Sequence, residues 1–268
     1  MGVIRKAVKF RPNLRVGWSG PSKSGKTGAM LSVALGHNPW TDETGVPLVE
    51  GRVGVIDAEQ QEQGKGTSEL YADLFDFDVI VLKRTHAEYY TDAIQEFAAA
   101  GYELIIIDGL SPEWVGPMGC LQIVDNLADS KYKGNKFRAW AEVNEFHDRL
   151  ILGDEKPTVA DCTKKGAQKF GIKNYPGHVF ASMRAKTKHS QTTTEDNQGN
   201  KKTTIEKLGM GPIQRAEIDY EFDTFFDLDK ASITVKGMTR IHTLEGKTFE
   251  NPGPELTKYF LEWLGDAD

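Results

Sequence analysis

Short apolar runs recur along the first half of the chain and alternate with segments whose apolar positions have helical spacing. The runs have the length and the β-branched content of buried strands. They cover residues 14–18, 51–57, 79–82 and 103–108. Segments 26–35 and 87–100 lie between them and are predicted to be helices. Because buried strands that alternate with helices are typical of parallel sheets, the pattern predicts an α/β fold with helices on both faces of the sheet.

The second half of the chain has a different pattern. Residues 112–176 are predicted to be mainly helical, with the clearest helix at 137–152, and strand character returns at 178–184. Residues 187–211 contain almost no large apolar side chain, which is typical of a mobile loop. The pattern ends with strands near 220–228 and 232–236 and an amphipathic helix at 256–264.

No internal repeat or interdomain linker interrupts this order, so the sequence predicts one domain over residues 1–268. A helical insertion at about 112–176 and a mobile loop at about 187–211 belong to that domain. The strands toward the C-terminus are predicted to be antiparallel.

Composition narrows the class of protein. The chain has 268 residues, a net charge of −6 and 39% apolar residues, enough for a substantial core. Its two cysteines, Cys120 and Cys162, form no C-x-x-C motif, and no segment reads as a signal peptide or a membrane span. We therefore expect a cytoplasmic protein without a membrane partner. The mild acidity argues against a surface coated in nucleic acid but allows a local basic groove.

One motif carries specific chemistry. Residues 20–27 match the phosphate-binding pattern G-x-x-x-x-G-K-[ST] between a predicted strand and a predicted helix. Backbone N–H groups of such a loop and the helix N-terminus bind phosphate, the lysine reaches the β- and γ-phosphates, and the threonine hydroxyl binds Mg²⁺. The alternative, a chance match, is made less frequent by the strand and helix on either side. The predicted nucleotide ligands are Gly20, Pro21, Ser22, Lys23, Ser24, Gly25, Lys26 and Thr27.

Two carboxylates follow predicted strands and would emerge at the same edge of the sheet as this loop. Asp108 ends the most apolar run and is the second candidate residue for the Mg²⁺ site, where it would hold the ion through a water molecule; the alternative is a polar residue that starts a turn before Gly109. Glu59 follows the strand that ends at Asp57 and is the candidate base that activates water. Its alternative is a solvated position in a polar surface run, and Asp57 is expected to brace the turn.

Together, these motifs resemble the RecA-type ATPase core of the P-loop NTPases. The resemblance rests on residues 20–27, 56–59 and 105–108, and most of 14–264 takes part in it. Residues 218–223 and the strand after them resemble a narrower group, the small phage-encoded RecA-like nucleotide-binding proteins of single-strand annealing and recombination.

The resemblance implies an ATPase that uses ATP and Mg²⁺, with Glu59 as the catalytic base. It also implies a homo-oligomer, as a ring or a filament, in which Lys236 or Arg240 reaches the ATP of a neighbouring subunit. The alternative for these two residues is a pair of exposed charges at strand ends. The implied partners are single-stranded DNA and a single-strand-binding protein, in the host cytoplasm if the protein is phage-encoded.

The chain departs from the RecA pattern in two respects. Ser182 stands where that family has a glutamine that senses the γ-phosphate, which leaves Arg184 or Lys186 as candidate sensors. The flanking domains of full-length RecA are missing, so strand exchange by this chain alone is not expected.

The resemblance places DNA-contacting loops in two segments that are rich in lysine and arginine. Aromatic residues mixed with cations suit single strands, whose bases stack and whose phosphates pair with positive charge. The candidate DNA-binding residues are Lys131, Lys133, Lys136, Arg138, Lys186, Lys188, Lys201 and Lys202. Two other functions stay open at this point: a P-loop kinase of a small molecule, and a nucleotide-gated assembly or packaging factor without a direct role on DNA.

Overall fold

The computed structural model describes residues 6, 12–59, 64–162, 168–195, 201–229, 232–235 and 239–265, with the backbone alone at 160, 187–195 and 201–209. The strands, numbered in chain order, are β1 (Arg15–Gly20), β2 (His37–Asn38), β3 (Glu43–Thr44), β4 (Val53–Asp57), β5 (Asp78–Val81), β6 (Leu104–Asp108), β7 (His178–Glu195), β8 (Lys201–Pro212), β9 (Thr224–Asp229), β10 (Ser232–Val235) and β11 (Thr248–Glu250). The helices are α1 (Lys26–Leu35), α2 (Ala87–Ala99), α3 (Ser111–Val115), α4 (Cys120–Ser130), α5 (Lys136–Leu152) and α6 (Pro254–Leu264).

One mixed sheet organises these elements. Its strand order is β11-β10-β9-β1-β7-β6-β4-β5, with β8 paired to β7. The neighbours from β9 to β5 are parallel, whereas β10 and β11 are antiparallel at one side. The predicted α/β class, with mostly parallel strands and antiparallel strands toward the C-terminus, is confirmed. The strands β1, β4 and β6 all end at one edge, which we call the carboxyl edge; the opposite edge is the amino edge.

Alternating side chains of the strands build two apolar layers. On β6, Leu104 and Ile106 join the layer that includes α1 and α6, whereas Ile105 and Ile107 join the layer that includes α2 and α5. This alternation is the two-residue period of a strand that is buried on both faces. Trp18 belongs to the first layer, where its ring contacts Phe180 and Phe226. A third, smaller cluster joins α4 to α5.

The segment predicted to be a mobile loop, residues 187–211, has regular backbone structure in its described parts. Residues 185–195 of β7 pair with β8 in an antiparallel ladder, which we call the hairpin arm. β1 pairs with β7 only as far as Arg184, so the arm continues beyond the carboxyl edge. The loop prediction was wrong because it relied on low apolar content; repeated threonines favour strands, and the two strands satisfy each other's hydrogen bonds.

The predicted helical insertion is shorter than residues 112–176. Helix α5 ends at Leu152, and Gly153 follows it in the left-handed region with φ = 72°. The described residues from there to 177 form turns, with a short 3-10 turn at Val159–Asp161. The predicted strand near 220–228 likewise begins later, because Ile218–Glu221 forms a 3-10 turn. None of the helices in the described ranges is long and apolar enough to cross a membrane.

Candidate functional site

The phosphate-loop motif lies between the end of β1 and the start of α1, as its sequence predicts. Gly25 precedes the helix with φ = 90°, a left-handed conformation that favours glycine. A Cβ at Gly20 would collide with the main-chain oxygen of Leu228, so close packing against β9 also requires glycine there. The two fixed glycines of the motif are therefore both needed by the backbone.

Lys26 points back into the loop. Its Nζ donates hydrogen bonds to the main-chain oxygens of Gly20, at 3.1 Å, and Pro21, at 2.8 Å. Burial lowers the pKa of the Lys26 ammonium, the Asp108 and Glu59 carboxylates oppose this shift, and Arg184 adds to it. An ammonium held by neutral carbonyl groups among these charges is well placed to exchange them for an anion.

Asp108 lies directly beside Thr27. The Thr27 hydroxyl donates a hydrogen bond to Asp108 Oδ2 at 2.8 Å, and the Ser182 hydroxyl donates to Oδ1 at 2.8 Å. Asp108 is only 4% exposed. Burial, reinforced by the charge of Asp57, raises the pKa of Asp108 to about 6, although the hydrogen bonds from Thr27 and Ser182 oppose the shift. The two predicted Mg²⁺ ligands are thus adjacent, and Ser182 orients one of them.

Asp57 organises the turn that carries Glu59. Its Oδ1 accepts a hydrogen bond from the Glu59 N–H at 2.8 Å, and its Oδ2 accepts from the N–H of Ser68 at 2.6 Å and the Ser68 hydroxyl at 2.5 Å. Burial raises the pKa of Asp57, and the hydrogen bonds from Ser68 oppose the shift. Asp57 therefore braces the turn, as expected from the sequence.

Glu59 projects from the carboxyl edge and is paired with an arginine of a different strand. Its Oε1 accepts hydrogen bonds from Arg184 Nε at 2.9 Å and Nη2 at 2.8 Å. Both side chains are partly exposed, at 29% for Glu59 and 47% for Arg184. The pair lies next to the loop, because Arg184 is in register with Gly20 on the neighbouring strand β1.

These side chains surround a common cavity. It has a volume of about 410 Å³, and the loop residues, Glu59, Asp108, Ser182 and Arg184 line it. Tyr71 also lines it and separates it from a smaller apolar cavity of about 300 Å³. That smaller cavity is lined by Gly25, Ala29, Asn38, Trp40, Tyr71, Asn251 and Pro252. A larger cavity, of about 880 Å³, adjoins the site through Glu59 and Arg184 and also includes Lys83 and Arg84.

Sequence reasoning missed the residues of the apolar cavity. Trp40 and Tyr71 meet edge to face, with ring centroids 6.2 Å apart. Asn251 and Pro252 come from the other end of the chain. The Trp40 ring also covers the start of α1, because a Cβ on Gly28 would collide with it. No motif marks these loops, and only the fold brings them together.

Arg240 does not belong to this chain's own cavity. Its Nη1 donates to Asp223 Oδ1 at 2.8 Å, and Asp223 directly precedes β9, so the pair lies at the amino edge. Lys236, the other predicted catalytic cation, is outside the described residues. A catalytic role for Arg240 is compatible with this arrangement only toward another copy of the chain.

The predicted DNA-binding residues fall into two groups. Lys131 forms an ion pair with Glu142 on α5, and Lys136 forms one with Asp125 on α4, both at 2.7 Å. Lys133, in the turn between these helices, and Arg138 are both exposed. Lys186 is exposed on the hairpin arm, which also carries Lys188, Lys201 and Lys202 along its backbone.

No protein-family model matches the chain, and no curated protein matches it. The function of the site is therefore inferred from its own residues.

Proposed function

We propose that this protein is a Mg²⁺-dependent ATPase with a RecA-like P-loop core that acts on single-stranded DNA in recombination or annealing of the phage type. The observation that carries the proposal is the hydrogen bond from Thr27 to the buried carboxylate of Asp108, beside a Gly-Lys-Thr loop at the carboxyl edge. Threonine and aspartate are common residues, but a hydroxyl and a carboxylate beside the Lys26 ammonium are the groups that bind a metal ion and a triphosphate together.

The donors at this point suit Mg²⁺. Thr27 and Asp108 offer a hydroxyl and a carboxylate oxygen, the hard ligands that Mg²⁺ prefers, and the remaining ligands would be water and phosphate. When bound, the ion neutralises charge on the β- and γ-phosphates. Lys26 would exchange its bonds to the loop carbonyls for bonds to the phosphates, and Ser182 would hold Asp108 in place.

Glu59 and Arg184 supply the groups for hydrolysis. In this proposal, Glu59 accepts a proton from water as the water oxygen bonds to the γ-phosphorus. The bond between that phosphorus and the bridging oxygen breaks, so ADP and phosphate leave. Arg184, which holds Glu59 in the described state, would turn toward the charge that develops on the phosphate. It would thereby serve as the γ-phosphate sensor for which Ser182 is too short.

The apolar cavity is the proposed site of the nucleobase. It adjoins Gly25 and Ala29 at the start of α1, and the aromatic residues Trp40 and Tyr71 line it. Aromatic faces stack on bases. The amide of Asn38 is buried and bonded to Asn251 and Trp40, so it braces the wall, and the exposed Asn251 is the amide residue left for a base edge. Nothing in this cavity distinguishes adenine from guanine, so the choice of ATP follows the resemblance.

The hairpin arm supports a role on nucleic acid. It extends from Arg184, the partner of Glu59, and its backbone carries Lys186, Lys188, Lys201 and Lys202. A strand bound there would lie next to the hydrolytic groups. In an oligomer, Lys236 or Arg240 of a neighbouring copy would be added to the ATP site. A single-strand-binding protein is an expected partner on the basis of the resemblance alone.

One observation favours a second candidate function, a small-molecule kinase. The cavity of about 880 Å³ beside Glu59 is lined by Lys83 and Arg84 and has room for a phosphorylated acceptor. In a kinase, the acceptor hydroxyl would replace water as the nucleophile. This candidate predicts slow ADP formation until an acceptor is added, and then transfer of the γ-phosphate to that acceptor.

The test is ATP turnover with and without single-stranded DNA. We expect DNA to increase phosphate release. We expect the Lys201→Ala/Lys202→Ala variant to bind DNA with a salt slope that is smaller by about 1.4, because each lost phosphate contact to a single strand contributes about 0.7. The matched variant Lys131→Ala/Lys136→Ala measures the same salt slope after loss of the two ion-paired lysines, so the two candidate DNA-binding groups can be compared. Turnover that DNA does not change would contradict the DNA role, and transfer of phosphate to a nucleoside or nucleotide would favour the kinase.

A further inference from the structure

A second group of reactive side chains lies where α3, α4 and α5 meet. It comprises Glu113, Cys120 and His147, none of which is more than 2% exposed. One ligand atom from each residue lies within 4.8 Å of the others. The proposed ATPase function uses none of these side chains. A carboxylate, a thiol and an imidazole that three separate helices bring together without solvent need a physical explanation.

The contacts within this group converge on a single oxygen. Cys120 Sγ lies 2.9 Å from Glu113 Oε1, and His147 Nδ1 lies 3.1 Å from the same oxygen. The other oxygen, Oε2, accepts a hydrogen bond from Gln214 Nε2 at 3.0 Å. Gln214 thus fixes the carboxylate so that Oε1 faces the sulfur and the nitrogen. Orientation of a ligand by an outer hydrogen bond is a common property of metal sites.

We propose that Glu113, Cys120 and His147 bind one zinc ion through Oε1, Sγ and Nδ1. Sulfur, nitrogen and oxygen are the three ligand types that zinc accepts, whereas a thiolate does not suit Mg²⁺ or Ca²⁺. Three protein ligands leave the fourth position of a tetrahedron for water. Binding releases the thiol proton of Cys120 to solvent. Gln214 is a positioning residue of this site.

The surroundings allow an ion to enter and give it a structural effect. His147 also lines a surface cavity of about 340 Å³ with Asp148 and Arg215, so in this proposal an ion would enter past the His147 side chain. Helix α3 begins shortly after Asp108, and its residue Glu113 would be tied through the ion to α4 and α5. Zinc would therefore fix the segment that follows the proposed Mg²⁺ ligand, independently of whether that site binds ATP.

The experiment measures metal content on the full chain, purified without metal-affinity steps. We expect about one zinc ion per chain, a fall of at least about tenfold in Cys120→Ser, and no change in Cys162→Ser. Cys162 is the matched control because it is the other cysteine and lies outside the group. Should Cys120→Ser fail to fold, Co²⁺ titration of the metal-free wild type replaces it, with a thiolate-to-cobalt absorption band as the expected signal.

A second variant tests the positioning residue. Gln214→Ala should weaken zinc affinity by about 10- to 100-fold in competition with a chelator, a readout that a purely structural role would leave unchanged. Wild-type protein without zinc and without a cobalt band would overturn the proposal and leave a hydrogen-bonded group. Zinc that Cys120→Ser retains in full would place the metal elsewhere and overturn it equally.

Discussion

The two edges of the parallel sheet both hold charged side chains, but the charges are combined differently at each edge. At the amino edge, Arg15 is buried, and its terminal nitrogens donate to the main-chain oxygens of Leu14, Tyr175 and Gly177 at 2.6–2.9 Å. The Asp223 carboxylate accepts hydrogen bonds from the main-chain N–H of Arg15 and from the Arg240 side chain. Burial lowers the pKa of Arg15 to about 10, although the charge of Asp223 opposes the shift. Opposite charges here fix the ends of β1 and β9.

At the carboxyl edge, like charges are brought together instead. The carboxylates Asp57, Glu59 and Asp108 share one region, and the charges of the first two help to raise the pKa of Asp108. The cations Lys26 and Arg184 are partly exposed to the cavity between them. Such an arrangement lowers the stability of the protein without a ligand, which is typical of sites that bind a charged ligand. The contrast supports the carboxyl edge as the place of the proposed nucleotide site.

The largest expected effect follows from removing the loop lysine. Lys26→Ala should lower ATP affinity by at least about 100-fold, because one charge-assisted contact to phosphate and its preorganised position are lost. Isothermal titration with Mg²⁺ and ATP measures it. Lys258→Ala, an exposed lysine on α6, is the control and should bind as wild type. Unchanged binding by Lys26→Ala would remove the phosphate-loop assignment.

The next effect concerns chemistry rather than binding. Glu59→Gln keeps the size of the side chain and its contact with Arg184 but removes the base, so turnover should fall by at least about 100-fold while ATP affinity stays near the wild-type value. Single-turnover phosphate release measures the rate. A variant that hydrolyses ATP at the wild-type rate would assign the base to another residue.

The apolar cavity gives a smaller effect that is specific for the base. Trp40→Ala should weaken ATP binding by about tenfold, because stacking on an aromatic ring contributes about 1–3 kcal/mol. Binding of inorganic triphosphate, which has no base, should be unchanged. Phe137→Ala removes another exposed aromatic ring, on α5, and serves as control. Equal losses for ATP and triphosphate would argue against a base site at Trp40.

The last effect concerns stability in the absence of nucleotide and metal rather than affinity or rate. The folded-state pKa of Asp108, about 6, lies above its ordinary value of 3.8, so the ionised carboxylate opposes folding. This cost is absent below about pH 4, grows as the pH rises toward 6 and is complete above it. Asp108→Asn should therefore be more stable than wild type at pH 8, by about 3 kcal/mol, with little difference at pH 4. Urea unfolding at both pH values checks it; a gain that is equal at both would contradict the assigned cause.

The elements and residues that depend on local sequence patterns could be predicted from the sequence. The apolar run before Asp108 predicts β6, and the fixed spacing of glycine, lysine and threonine predicts the turn between β1 and α1. Both signals lie within about ten neighbouring residues, and the structure places Asp108 beside Thr27.

Features that depend on distant parts of the chain could not be predicted in this way. Arg184 reaches Glu59 across 125 positions, and the cavity walls at Trp40 and Asn251 come from opposite ends of the chain. The position of Arg240 at the amino edge follows from strand direction in the sheet, which local spacing does not encode. The hairpin arm was missed for a different reason, because its strands pair with each other and need no apolar face.

The most direct test is a crystal structure of the chain with Mg²⁺ and a non-hydrolysable ATP analogue. The account predicts phosphates within residues 20–27, the metal ion on Thr27 and Asp108, and the base between Trp40 and Tyr71. An analogue that binds only in the cavity lined by Lys83 and Arg84, or a metal ion that does not contact Thr27 or Asp108, would contradict it.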